Sequence, residues 1–107
     1  MENIPAAPVR NALTATQLIA SLAKTDGWKL HGDGADLAIE KTFVFASYLK
    51  VMAFANAVAY IAEQRDHHPA LLVQWSSCSV RFNTHDLGGI SHTDFECAAL
   101  VDALVQH

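Results

Sequence analysis

The chain has 107 residues, 51% hydrophobic and 17% charged, with a formal net charge of −4 when its histidines are neutral. That is an ordinary single-domain composition, large enough for a modest core and too apolar for a disordered chain. No Lys/Arg cluster is present to neutralise phosphates, which argues against direct nucleic-acid binding, and no apolar run approaches the roughly 20 residues that cross a membrane.

Residues 1–12 carry two prolines and no basic start followed by an apolar block. They are read as a flexible leader rather than a secretory signal, before a single domain over 13–107. Thr14 with Gln17 makes a capping box, and Ala15, Leu18, Ile19, Leu22 and Ala23 follow at helical spacing up to Asp26-Gly27. Trp28 and Leu30 alternate with polar residues as in a short strand, and His31-Gly32-Asp33-Gly34 is turn chemistry. Leu37, Ile39, Phe43 and Phe45 share one face of a second strand that Lys41 interrupts.

Ser47 is the expected N-cap of a long helix reaching about Arg65. Val51, Phe54, Ala55, Val58, Ile61 and Ala62 form one apolar stripe, and Leu49, Met52, Ala53 and Tyr60 a second. A helix apolar around so much of its girth is buried on two sides, the second against a partner subunit in a chain this small. Leu71–Trp75 and Cys78–Thr84 are two further strands joined by Ser76-Ser77. Ser91 opens the last helix, with Asp94 in its first turn and Cys97, Leu100, Val101 and Leu104 as its buried stripe. Both cysteines are expected as buried free thiols. Helix, two strands, helix, two strands, helix predicts an α+β fold, a four-stranded antiparallel sheet with three helices on one face.

Three of the six histidines fall at element ends. His67 and His68 occupy the Arg65-Asp66-His67-His68-Pro69 corner, and His85 closes the fourth strand. If strands three and four form a hairpin, the corner and His85 meet at one end of the sheet. Imidazole titrates near pH 6.5, so such a cluster can take and give protons at neutral pH. His31, His92 and His107 read as solvated. Asp94 reads first as a helix cap, Glu63 as a solvated charge, and Trp28 and Trp75 as core. A metal site fits less well, because adjacent histidine side chains diverge in an extended segment and no helical H-x-x-x-H spacing occurs.

Glu63-Gln64-Arg65-Asp66-His67-His68-Pro69, followed by Trp75, His85 and Asp94, resembles the signature of the pterin-4a-carbinolamine dehydratases. Gly27-Trp28, the strand from Ile39 to Phe45 and the alanine-rich helix after it look like their counterparts, so the resemblance spans nearly all of the chain after residue 13. It implies the same fold and a cytoplasmic hydro-lyase that converts 4a-hydroxytetrahydropterin to quinonoid dihydropterin and water. The pterin is the substrate, with no metal and no organic cofactor. Carried over by position, His67, His68 and His85 are the catalytic and substrate-contacting histidines. His67 and His85 exchange protons while His68 holds the ring. Asp66, Asn83, Thr84 and Asp86 flank the pterin, and Glu63 and Asp94 support the geometry. Ala70, Leu71 and Val73, and Asn83 where serine is common, depart from the family pattern at the pocket rim.

Two other readings stand beside the enzyme: a non-catalytic interaction module of the same fold, and pterin handling linked to molybdopterin metabolism. The two-sided apolar helix and an exposed sheet edge predict a homodimer or homotetramer. Neither a membrane nor a nucleic acid is expected as a direct partner.

Overall fold

Each of the three helices begins at a residue whose side chain can replace a missing backbone partner. The computed structural model describes residues 11–106, so most of the expected leader, and His107, lie outside the described residues. Helix α1 (Ala15–Ala23) starts at the Thr14–Gln17 capping box, both halves of which form. Strands β1 (Lys29–His31) and β2 (Ala38–Val44) make the first hairpin, with a short 3-10 turn at Gly34–Asp36 between them. Helix α2 (Tyr48–Arg65) starts at Ser47, whose hydroxyl accepts from the Lys50 N–H. Strands β3 (Ala70–Gln74) and β4 (Ser77–Phe82) form the second hairpin, and α3 (His92–Ala103) follows a loop closed by a Thr84–Gly89 bridge.

The sheet order is β1-β2-β4-β3, antiparallel throughout, with β2 and β4 in the centre. The observed architecture is the α+β arrangement that the sequence predicts, α-β-β-α-β-β-α. Period-two alternation decides which side of the sheet is covered. Ile39 and Phe43 of β2 and Cys78, Val80 and Phe82 of β4 are buried and pack with Val51, Phe54, Ala55 and Val58 of α2 and Cys97, Ala98 and Val101 of α3. Trp28 joins this core, its ring centroid 6.1 Å from Phe43 and 6.0 Å from Phe82. Both cysteines are buried free thiols.

Lys41, the residue that interrupts the apolar face of β2, is accounted for by a distant partner. Its ammonium donates to Asp102 Oδ1 at 2.8 Å and to the Asp26 carbonyl at 3.3 Å, and lies 5.0 Å from the Phe43 ring centroid. Asp102 Oδ2 accepts from Trp28 Nε1 at 3.0 Å, so one carboxylate satisfies two donors under α3. Gly27 has φ +84°, and a Cβ there would stand 2.8 Å from Lys41 Cε, which reserves the position for glycine.

Two expectations of burial do not hold. Trp75 is 74% exposed, because it sits in the β3–β4 turn, and Leu104 is 40% exposed, because α3 ends at Ala103. On the second stripe of α2, Leu49 is 81% and Tyr60 67% exposed.

Candidate active site

The end of α2 sets the geometry of the histidine corner. Asp66 caps the helix in the left-handed conformation (φ 49°, ψ 45°), a region that aspartate tolerates better than most residues. The N–H groups of Asp66 and His67 both reach back to the Ala62 carbonyl, the latter at 3.1 Å. Pro69 then holds His68 in extended geometry, and side chains of neighbouring extended residues point to opposite sides. His67 is accordingly buried, whereas His68 is 57% exposed.

His67 enters a polar network inside the core. Its Nε2 lies 2.5 Å from Asp94 Oδ1, and its ring stacks on Phe82 with centroids 5.9 Å apart and planes 10° from parallel. Asp94 is fully buried. Its Oδ2 accepts from the Thr84 hydroxyl at 2.7 Å and from the Ser91 N–H at 2.9 Å, the latter being the helix cap read from sequence. With its proton given to Asp94, Thr84 Oγ1 accepts from Ser91 Oγ at 2.8 Å. A buried carboxylate is tolerable only with such a set of donors. The network fastens three elements together: the exit of α2, the exit of β4 and the start of α3.

The residues that follow two members of this network face a common cavity. His68 follows His67 and His85 follows Thr84; with Asn83 and Arg81 they line a cavity of about 410 Å³, within the usual range for a small-molecule site. His68 Nε2 lies 3.3 Å from Glu63 Oε1, so Glu63 orients the ring that faces the cavity. The Arg81 guanidinium is engaged by Glu40, Nε at 2.8 Å and a terminal nitrogen at 2.7 Å.

Of the nine residues singled out from sequence, the structure brings His68, Asn83 and His85 to this cavity. Three others stand apart from its lining. Asp66 is an exposed helix cap, Thr84 is buried in the Asp94 network, and Asp86 lies on the 3-10 turn His85–Leu87. His67 is likewise outside the lining; Asp94 supports it from behind, as Glu63 supports His68. His85 begins the 3-10 turn rather than closing β4, which ends at Phe82.

One wall was missed by the sequence reading. His31 at the end of β1, with Asp33 and Asp36 of the β1–β2 loop, lines the cavity across the sheet from the histidine corner, although His31 reads as merely solvated. The polar density of the loop is visible in the sequence, but its position depends on β2 pairing with β4, a contact between the two hairpins. Among the described residues, no group of three or more His, Cys, Asp or Glu side chains is arranged to hold a metal ion, and no helix is long and apolar enough to cross a membrane.

Comparison with known proteins agrees with the fold and with the family that the sequence resembles. Residues 11–104 match the family model described as pterin 4 alpha carbinolamine dehydratase. A protein of Paracidovorax citrulli, provisionally named pterin-4-alpha-carbinolamine dehydratase, is 54% identical over 99 residues, 92% of this chain and 85% of its own. A protein of Bdellovibrio bacteriovorus with the same provisional name is 46% identical over 101 residues, 91% of this chain and 81% of its own. Among solved structures, a transcriptional coactivator/pterin dehydratase from Brucella melitensis superposes with a TM-score of 0.82 at 27% identity, covering 90% of this chain and all of that one. A pterin dehydratase-like protein described as a RuBisCO assembly factor in the alpha-carboxysome superposes with a TM-score of 0.61 at 28% identity, over 73% of this chain and 88% of that one. With 94 consecutive residues matched by the family model and the whole fold superposing on a solved relative, this chain belongs to the pterin 4 alpha carbinolamine dehydratase family.

Proposed function

We propose that this protein dehydrates 4a-hydroxytetrahydropterin to quinonoid dihydropterin, recycling in the cytoplasm the pterin used in aromatic amino acid hydroxylation. The observation that carries the reading is one cavity with His68 and His85 on its walls, next to a third imidazole, that of His67, held by a buried carboxylate.

The reaction removes the N5 proton and expels the 4a hydroxyl as water, leaving a C4a=N5 double bond. One group must accept a proton and another must donate one, and each such positioned group contributes about 10²–10⁴-fold in rate. His85 supplies one exchange from the loop after β4. His67 supplies the other: Asp94 commits its Nε2–H, so in the neutral ring Nδ1 carries the lone pair. His68, held by Glu63, contacts and orients the pterin. Asn83 lines the same wall as His85. No metal or organic cofactor takes part.

Turnover of 4a-hydroxytetrahydropterin by the purified chain tests this. His67→Ala and His85→Ala are each expected to lower kcat by about 10²–10⁴-fold with the circular dichroism spectrum retained, and His68→Ala to raise KM more than it lowers kcat. A silent His67→Ala beside an inactive His68→Ala would move the second exchange to His68, the imidazole on the cavity wall. Wild-type rates no better than buffer would favour the interaction module, a reading to which the exposed second face of α2 and the assembly-factor relative lend support.

A further inference from the structure

The cavity has two unlike walls, and the proposed chemistry uses only one. The second wall is the β1–β2 loop, and two features fix its shape. Gly32, at φ +79°, lets the loop fold so tightly that a Cβ there would come within 2.7 Å of the Asp36 carbonyl oxygen. Asn83 then clamps the loop from β4's side: its Nδ2 donates to the Ala35 carbonyl at 3.2 Å and to the Leu37 carbonyl at 2.5 Å.

The clamp is kept although Asn83 Oδ1 is buried and has no hydrogen-bond partner, alone in this among buried side-chain polar atoms of the described residues. Turning the amide over would free Oδ1 only by setting it against two carbonyl oxygens. Holding this loop against the cavity is therefore what the Asn83 side chain does.

The clamped loop brings Asp33 and Asp36 to the cavity opposite His68 and His85. The one arginine on the lining among the described residues, Arg81, is already paired with Glu40 through two nitrogens, which leaves the two aspartates as acceptors facing the space. The pyrimidine end of a reduced pterin presents two adjacent donors, N3–H and the 2-amino group, and a carboxylate accepts such a pair in parallel. The reacting N5 and C4a lie on the other ring, which would then face the imidazoles.

We propose that the β1–β2 loop is the specificity wall of this site: Asp33 and Asp36 recognise the N3–H/2-amino edge of the pterin, and Asn83 is the positioning residue that holds them there. This rests on the dehydratase reading and names how its substrate is chosen.

Binding of a 7,8-dihydropterin, compared with its 2-oxo analogue in which a carbonyl replaces the amino donor, tests the assignment by titration calorimetry. Wild type should prefer the 2-amino ring by about tenfold or more, the usual size for a hydrogen bond to a charged group. The double variant Asp33→Asn/Asp36→Asn should lose most of that preference, with KM raised about tenfold and kcat lowered far less. Asn83→Asp, which keeps the shape and removes both donated bonds, should lose the preference too. Asn83→Ala provides a second measurement if the added charge disturbs folding. An undiminished preference in the double variant, or none in wild type, overturns the specificity wall. If pterin binds and turnover still depends on His85, that failure leaves the dehydratase standing. If wild type binds neither ring, both readings fall together.

Discussion

His67 Nε2 and Asp94 Oδ1 stand 2.5 Å apart in the core, 27 residues distant in sequence, and their contact joins the exit of α2 to the first turn of α3. Asp94 is at once a helix cap and the support of an imidazole. Replacing it with alanine leaves His67, Thr84 and the Ser91 N–H without their acceptor in a buried setting. Breaking a buried pair of this kind costs about 3–5 kcal/mol. Asp94→Ala is expected to lower the urea midpoint accordingly, and Asp94→Asn to do so less, since it retains one acceptor oxygen. A midpoint unchanged in Asp94→Ala would mean that the network contributes little to stability.

The Lys41–Asp102–Trp28 group should separate two effects often confused. Asp102→Ala strands the Trp28 N–H and the Lys41 ammonium together, at a cost of about 1–3 kcal/mol. Lys41→Met removes the charge but leaves Asp102 with its tryptophan donor and extends the apolar face of β2. Because both side chains of the ion pair are partly exposed, its cost should stay below about 1 kcal/mol. Paired denaturation curves check the order. Equal losses in the two variants would show that the ion pair itself, rather than the stranded donors, carries the stability.

Burial pushes the Cys97 thiol up to about 11 from its ordinary 9.0, helped by the negative charge of Asp94. A thiol whose folded pKa is raised favours the folded state while it stays protonated. Its contribution is complete below pH 9 and is lost as pH rises through the 9–11 window, where the unfolded chain ionises first. Stability measured from pH 8 to 11 should fall less steeply in Cys97→Ala than in wild type, after allowance for the offset between them. In the folded protein at pH 8 the thiol should be inert to a disulfide reagent and react on adding urea. Rapid labelling without denaturant would count against this.

Local signals were legible in the sequence. Thr14, Ser47 and Ser91 announced their helices because a cap is chemistry among residues three apart, and hairpin pairing alone brought His68 and His85 to one end of the sheet. What escaped depends on distance. Lys41 looked like a flaw in an apolar face, because Asp102 is 61 residues away. Trp75 looked like core, because no pattern reveals that nothing lies above a turn. The corner histidines read as one group, yet the alternation of an extended segment sends His67 inward to Asp94 and His68 outward to the cavity. The loop from His31 to Asp36 read as an ordinary turn, and only the β2–β4 pairing carries it to the site.

Of the second stripe of α2, Leu49, Ala53 and Tyr60 are exposed, at spacings of four and seven that keep one face aligned. With β3 at the sheet edge, it gives the chain two surfaces suited to a second copy. We expect a dimer or tetramer by light scattering at micromolar concentration. If the helix face makes the contact, Leu49→Glu with Tyr60→Glu should yield a smaller species that keeps its circular dichroism spectrum, because neither side chain supports the core. If instead the β3 edge makes it, a proline at Leu72, which is exposed on that strand, should be the variant that dissociates it. A wild-type monomer under the same conditions overturns the expectation, and the exposed face of α2 would then be open to a different protein.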